Sequence, residues 1–578
     1  MASRTGGAIV AQMLAAEGVD TVFGIIDGTY FGLISSLEDA GIRLISPRHE
    51  TSALHMAGTY ARITGRLGVA IASNGPGVAN ALPGVAVENG EGNRVLLITS
   101  TRREGIGYPD RGGTFQYFNQ VAVTRPMTKW SGAVTDRSRI GEFMRRAFRT
   151  SWSGRPGVVH VDIPESVMNG KDKTGGSQAR PPATYRRTEP LEPDLASVRQ
   201  AATMLAAARR PLIHSGTGVI HSGAFAQLQS VAEALGAPVT TSWGGRGALP
   251  ETHPLAVPMP FVDLYTTLHN QADVVLVLGS RMGETDWWGK APYWAPPETQ
   301  RVIQVDIDDA NIGLNKPIEV AVMADIARFL DHLGDALAAG PDITRQPDTW
   351  SSAKAQERAK LDKRLDKTGD RVHPGLVPRI TQAGLPDDTI WVFDGGNTAV
   401  WSHFYHEARQ TNSVITTFKF GMLGAGVAQA LGAAVAAPGR PVCCLIGDGA
   451  MGFHPQEIET AVRNGLTVIY VVFADLAWGM VKMGQQFALK PVKTIVRKSL
   501  SEGETINADF SEIKFDDLAK AMGAHGERVS KADELEPALR RSIDSGKTAV
   551  IHVDVDPVTH MWAPALRTFK DMHLEPGG

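Results

Sequence analysis

Two carboxylate-bearing turns carry the strongest chemical signal in the chain. Gly447-Asp448-Gly449-Ala450 ends the apolar run Val442-Cys-Cys-Leu-Ile446. Asp475 sits in Ala474-Asp475-Leu-Ala477-Trp478-Gly479, which ends the apolar run from Thr467 to Phe473. If the two runs are neighbouring parallel strands, both carboxylates arrive at the crevice where open α/β sheets bind ligands. Paired carboxylate oxygens suit Mg²⁺, which prefers octahedral oxygen and commonly takes phosphate oxygens as well. Gly447 and Gly449 would let backbone N–H groups approach a phosphate, and the N-terminus of a following helix favours the anion. A Gly-Asp-Gly alone is a weak signal; the second strand end makes it a constellation. A third carboxylate, Glu50 of Pro47-Arg-His-Glu50, follows a strand and opens a helix. In isolation it is only a favourable dipole contact.

These side chains need strands to carry them, and the chain supplies strands in three blocks. The first, over 1–170, contains the short apolar runs Thr21–Gly24, Arg43–Ser46, Leu67–Ser73, Val95–Thr99 and Gly157–Ile163, with helical periodicity between them. The second, over 195–340, contains Arg210–Ser215 followed by Gly216-Thr-Gly218, then Ala272–Gly279 and Arg301–Asp306. The third, over 375–555, contains Thr389–Asp394, Val442–Ile446, Thr467–Phe473 and Ala549–Asp554. Short apolar strands alternating with helices predict parallel sheets covered on both faces. Residues 170–195 read as a linker rich in Gly, Lys, Arg and Pro, and 340–375 as a polar, mostly helical one. The segment 556–578 is an aromatic and basic tail. The expected fold is α/β, with three successive parallel-sheet domains and a lid-like C-terminal tail.

Composition sets the outer bounds. The 578 residues hold 58 Lys+Arg against 61 Asp+Glu, a formal net charge of −3, so no basic surplus points to nucleic acid. At 43% hydrophobic and 21% charged residues the chain is neither disordered nor fibrous. The two cysteines, Cys443 and Cys444, are adjacent in an apolar run and read as buried small side chains without a disulfide framework. No signal-peptide pattern opens the sequence, and no apolar stretch reaches the ~18 residues of a membrane span. The expectation is a soluble cytoplasmic protein.

The Gly-Asp-Gly, the gap and the closing strand resemble the motif of thiamine diphosphate-dependent enzymes. That family usually ends the motif in two asparagines, where this chain has Ala474-Asp475. The resemblance implies thiamine diphosphate and Mg²⁺ as cofactors, with Asp448, Asp475 and the main-chain carbonyl of Ala477 as metal ligands. It implies that Gly447, Gly449 and Ala450 border the diphosphate. Gly421-Met422-Leu423-Gly-Ala-Gly426 resembles the loop beneath the thiazolium ring, with Leu423 as the apolar wedge that bends the cofactor; alternatively it is a Gly-rich helix start packed on a sheet. Glu50 matches the family glutamate that hydrogen-bonds the aminopyrimidine ring and governs its proton exchange. Asn74-Gly75-Pro-Gly77 resembles the loop over the pyrimidine, and Phe115 and Gln116 match a segment that meets substrate, followed here by Tyr117 where many relatives have an acid. The resemblance spans about 5–555 and implies pyrimidine-binding, middle and diphosphate-binding domains. It also implies a homo-oligomer, dimer or tetramer, with sites shared between chains.

Within the family, the turn Asp394-Gly-Gly-Asn397-Thr398 resembles the oxalyl-CoA decarboxylase and 2-hydroxyacyl-CoA lyase branch. That branch implies an adenine nucleotide such as ADP in the middle domain, held near Gly216, Arg281 and Asp306 and beside Ile312–Pro317. It implies that the tail, with Trp562, Arg567, Phe569 and Lys570, closes the site or meets the phosphates of coenzyme A; the alternative is an unordered terminus. The expected activity is cleavage of a 2-hydroxyacyl-CoA to a ketone or aldehyde plus formyl-CoA, similar to actinobacterial lyases acting on 2-hydroxyisobutyryl-CoA. The alternatives are acetolactate-synthase-like or oxalyl-CoA-decarboxylase-like chemistry. The paired histidines of pyruvate-type decarboxylases are missing near residue 115, and FAD in the middle domain would instead mark an acetolactate-synthase-like enzyme.

A lyase needs a base near the leaving carbonyl. The segment Gln485–Thr494 holds no carboxylate, and the next in the sequence is Glu502; Lys490 and Lys493 stand there instead. Lys493 reads as a base, which requires burial to lower its pKa, as a solvated surface lysine, or as the replacement of a family glutamate.

Overall fold

The computed structural model describes residues 4–107, 112–172, 179–340, 343, 350–366, 369–499, 503–566, 568 and 571. Chain contacts divide it into two compact units. One comprises 1–189 with 427–439 and 454–467; the other comprises 190–426, 440–453 and 468–578.

In the first unit, β1 (Arg4–Thr5) pairs antiparallel with β8 (Lys171–Asp172). Between them run β2 (Thr21–Gly24), β3 (Arg43–Ile45), β4 (Gly68–Ala72), β5 (Val95–Thr101), β6 (Trp130–Ala133) and β7 (Val158–Pro164). These six form a parallel sheet in the order β3-β2-β4-β5-β7-β6. The central strands β4 and β5 are buried almost throughout, as a parallel sheet covered on both faces requires. Helix Glu50–Thr64 is buried over its first twelve residues and stops at Gly65, whose φ of 69° supplies the left-handed cap.

The second unit holds two sheets. β9 (Pro211–Ser215), β10 (Val239–Thr241), β11 (Val274–Leu278), β12 (Arg301–Asp306) and β13 (Val320–Met323) form a parallel sheet in the order β10-β9-β11-β12-β13. β14 (Ile390–Asp394), β15 (Val414–Thr416), β16 (Val442–Gly447), β17 (Ile469–Ala474), β18 (His525–Val529) and β19 (Ala549–Asp554) form another, in the order β15-β14-β16-β17-β19-β18. The three parallel-sheet α/β domains expected from the sequence are therefore present. The cysteines lie fully buried on β16, where desolvation pushes both thiols up.

The stretch read as a second linker does more than connect. Helix Trp350–Asp362 lies within it. Lys354 donates to the Glu251 and His253 carbonyls, and Arg358 donates to the Phe404 carbonyl. Nearby, the buried Arg246 guanidinium pairs with Glu251 at 2.6 Å and donates to the carbonyls of His403 and His406. A buried ion pair of this kind survives because further hydrogen bonds satisfy it.

Candidate active site

β16 and β17 are paired in parallel, with Gly447 opposite Phe473, so Asp448 and Asp475 emerge from adjacent strand ends. Asp448 is 8% and Asp475 6% exposed. Asp448 accepts from the Gly449 N–H at 2.7 Å and from the Leu476 N–H at 2.8 Å. Burial, and after it the nearby Asp475 charge, pushes the Asp448 carboxyl up to about 7. The turn between Asp475 and Gly479 is fixed from the side: Phe510 N–H donates to the Leu476 carbonyl and Trp478 N–H to the Ala508 carbonyl. Asn397, in the helix Gly396–Tyr405, is buried, and among the described residues neither of its side-chain atoms has a hydrogen-bond partner. Its amide nitrogen and an Asp475 oxygen would each lie 2.9 Å from a Cβ placed on Gly479. Asp475 and the orphaned Asn397 amide thus converge on Gly479, and the second buried acid, Asp448, is tied to the same turn through the Leu476 N–H. Gly424, at φ 87°, is similarly forced, since a Cβ there would sit 2.4 Å from that of Phe453. It closes the 421–424 loop, where Gly421 N–H donates to the Thr417 carbonyl, the Thr417 hydroxyl donates to the Met422 carbonyl, and Leu423 is half-buried.

In the first unit, Glu50 is 7% exposed in the opening turn of its helix, after an N-cap in which His49 Nδ1 accepts from Thr51 N–H. Its Oε2 accepts from Asn80 Nδ2 at 3.1 Å, and a Cβ on Gly77 would come within 3.2 Å of its Oε1. The approach to the helix is held by a carboxylate that the sequence did not single out. Buried Glu457 accepts the Arg48 backbone N–H through both oxygens at 3.1 Å. The 74–77 loop rests on a second unanticipated network. Gly75 N–H donates to Gln120, whose amide donates to Asp162, which also accepts from Thr99; the Thr99 hydroxyl contacts His160. Gly75 has φ 63°, and a Cβ there would meet the Gln116 carbonyl at 2.6 Å. That same carbonyl accepts from Asn74 Nδ2. Phe115 and Gln116 are exposed in the segment before Gln120 that meets this loop.

Residues 4–123 match the thiamine pyrophosphate enzyme N-terminal TPP binding domain, 198–333 the central domain and 394–553 the C-terminal TPP binding domain. The sulfoacetaldehyde acetyltransferase of Alcaligenes xylosoxydans xylosoxydans is 33% identical, over 94% of this chain and 91% of its own. The chain belongs to the thiamine pyrophosphate enzyme family. Escherichia coli acetolactate synthase isozyme 2 large subunit is 30% identical over 96% of both chains, and isozyme 3 is 28% identical over 97% of both. Thiamine pyrophosphate is thiamine diphosphate, so the cofactor expected from the motifs is that of the family. The donor set fits it: the Asp448 and Asp475 carboxylates and the Ala477 carbonyl suit a hard divalent cation, and the orphaned Asn397 amide suits a diphosphate oxygen.

The other residues singled out for this thiamine pyrophosphate enzyme fall into two groups. In the central domain, Gly216, Arg281 and Asp306 lie at the carboxyl ends of β9, β11 and β12. A Cβ on Gly216 would lie 2.2 Å from the Gly279 carbonyl oxygen, so these strand ends meet backbone to backbone. Asn315 donates to the Arg281 carbonyl, folding the 312–317 segment over the end of β11. The Asp306 carboxylate is engaged by the chain itself, accepting from Asp308 N–H and Asn311 Nδ2, and burial raises its pKa. In the C-terminal domain, Lys493 requires a correction. Its ammonium is ion-paired with Glu504, which also takes Lys490 at 2.9 Å, and its side chain is 32% exposed. This is a surface ion pair and not the buried apolar setting of a lysine base. The carboxylate beside Lys490 and Lys493 is Glu504, brought back by the loop; Glu502 lies outside the described residues. In the tail, Trp562 donates to the Lys498 carbonyl and meets the Phe487 ring edge-on at 5.5 Å, while Arg567, Phe569 and Lys570 lie outside the described residues.

Proposed function

We propose that this thiamine pyrophosphate enzyme cleaves a 2-hydroxyacyl-CoA to a ketone or aldehyde and formyl-CoA, with Mg²⁺ anchoring the cofactor. The observation that carries the substrate reading is the central-domain strand-end cluster. Gly216, Arg281 and Asp306 stand at the carboxyl ends of parallel strands, the position for nucleotides in open α/β sheets, and the 312–317 segment is clasped over Arg281. In this reading the cluster holds an adenine nucleotide such as ADP.

The cofactor, when bound, supplies an electron sink that stabilises a carbanion beside a carbonyl. The chain's own residues do the rest. Asp448, Asp475 and Ala477 would hold the metal, and Gly447, Gly449, Ala450, Asn397 and Thr398 would border the diphosphate. Leu423 and the Gly421–Met422 loop would border the cofactor's ring. Glu50 holds and moves a proton at the aminopyrimidine nitrogen, and Asn74 and Gly75 shape the loop above it. Phe115 and Gln116 face the substrate. The base at the substrate hydroxyl is Glu504, beside Lys493; if instead Lys493 replaces the family glutamate that does this work, the chain is an inactivated variant.

The full chain, loaded with thiamine diphosphate and Mg²⁺, is assayed for formyl-CoA released from 2-hydroxyisobutyryl-CoA. Lys493→Glu is expected to raise that rate at least tenfold, because it removes one of the two ammonium groups paired with Glu504 and places a carboxylate at 493. No formyl-CoA from either protein overturns the lyase reading. Similarity to sulfoacetaldehyde acetyltransferase and acetolactate synthase favours a second reading, a two-carbon transferase. Consumption of pyruvate, with or without sulfoacetaldehyde, by a protein inert toward the CoA ester would establish it.

A further inference from the structure

Asp475 stands where the family usually has an asparagine, and the difference adds a negative charge beside Asp448 and the diphosphate site. An amide there is neutral and orients itself through its own donors; a carboxylate needs a donor to fix it. The structure supplies one from outside the matched C-terminal domain, which ends at residue 553. Beyond β19, Asp556 N–H donates to the Val372 carbonyl, and Asp556 caps the short helix Pro557–Met561 by accepting from Thr559 N–H at 2.6 Å. That turn directs His560, 3% exposed, inward. Its Nδ1 lies 2.6 Å from Asp475 Oδ2 and its Nε2 lies 3.1 Å from the Thr398 hydroxyl. Its carbonyl accepts from the Trp401 indole at 2.9 Å, and its ring is 5.9 Å from that of Phe473.

Facing a carboxylate, Nδ1 carries the proton and donates it. Nε2 is then the acceptor for the Thr398 hydroxyl. The ring is held at both nitrogens and at its own backbone, so the Asp475 oxygen it touches has one orientation. Among the described residues, the other oxygen accepts only a long 3.3 Å contact from Ala477 N–H and is the one left to face a cation.

We propose that His560 is a positioning residue for the metal site: it fixes the Asp475 carboxylate and thereby lets an acidic residue serve where the family uses an amide. The inference rests on the cofactor reading above. Outer partners of this kind set metal affinity by about 10–100-fold.

The test uses the full chain stripped of cofactor, with Mn²⁺ as an EPR-visible probe in the presence of saturating thiamine diphosphate. His560→Leu is expected to weaken Mn²⁺ binding by about 10–100-fold. His560→Asn, which keeps an N–H donor near Nδ1, should recover most of the loss. In an Asp475→Asn background the same His560→Leu change should alter affinity by no more than about twofold, since the partner it serves is gone. His560→Phe keeps the ring volume and carries the same expectation should the leucine variant not fold, with thermal melts identifying that case. Equal weakening in both backgrounds makes His560 merely structural and overturns the proposal, as does wild-type affinity in His560→Leu and His560→Phe. Absence of thiamine diphosphate-dependent Mn²⁺ binding by the unsubstituted chain overturns the cofactor reading itself, and this inference with it.

Discussion

Glu50 shows how a single residue acquires meaning from its surroundings. A glutamate in the first turn of a helix is ordinary on dipole grounds alone. This one is buried, with Asn80 Nδ2 on one oxygen and no room beside the other for a Cβ at Gly77. Glu50→Gln fits the same space and keeps an oxygen for Asn80, but cannot exchange a proton. Its expected effect is a fall in kcat of about 10²–10⁴-fold, with Mn²⁺ affinity in the presence of thiamine diphosphate changed by less than about tenfold. Steady-state kinetics and the EPR titration read the two separately. A variant that keeps its kcat removes Glu50 from the proton path, and one that loses cofactor binding to the same degree reassigns it to binding.

At the scale of elements, the loop at Asn74–Gly77 is held by a buried chain of polar groups that no single motif announces. Asp162 on β7 receives Thr99 and Gln120, and Gln120 also receives Gly75 N–H. Burial pushes the Asp162 carboxyl up to about 7, against 3.8 unperturbed. Between those values the folded protein keeps a proton that the unfolded chain has lost. Its contribution to stability is therefore complete below about pH 4 and is lost as pH rises through about 7. His160, pushed down by burial to about 3, has the opposite sign: its contribution is complete above about 6.5 and is lost as pH falls through about 3. The two slopes oppose one another between pH 4 and 6.5. Asp162→Asn keeps an oxygen for both donors and removes only the first slope. The melting temperature of this variant minus that of the wild type should climb by several degrees from pH 4.5 to 7.5. A difference that stays flat over this window, followed by circular dichroism, leaves Asp162 ionised in the fold. Such networks explain what sequence reading could and could not reach. Central strands such as β4, β5, β16 and β17 are buried on both faces and read as apolar runs, which is why the Asp448 and Asp475 turns were legible. The strands it passed over in the three parallel sheets, β6, β10, β13, β15 and β18, all lie at sheet edges. There short length and partial exposure, as in the alternately buried Val320–Met323, erase the apolar run. Glu457, Asp162 and His560 were invisible for another reason: each acts on residues far along the chain, and no local spacing records the meeting.

At the scale of the whole molecule, Glu50 and the Asp448–Asp475 pair belong to different compact units of the chain. A family that is typically oligomeric can draw them from different copies. If the site is shared in this way, two defects on separate chains do not add. Chains carrying Glu50→Gln and chains carrying Asp448→Asn, co-expressed under two affinity tags and purified in tandem, form an assembly in which intact Glu50 from one copy meets intact Asp448 from the other. In a two-fold dimer one site then receives both substitutions and its symmetry mate receives neither. Each variant alone is expected to be inactive, and the tandem-purified heterodimer to show about half the wild-type activity per dimer. Chains that build their sites from their own residues would give one Glu50-defective and one Asp448-defective site in every heterodimer and no recovery.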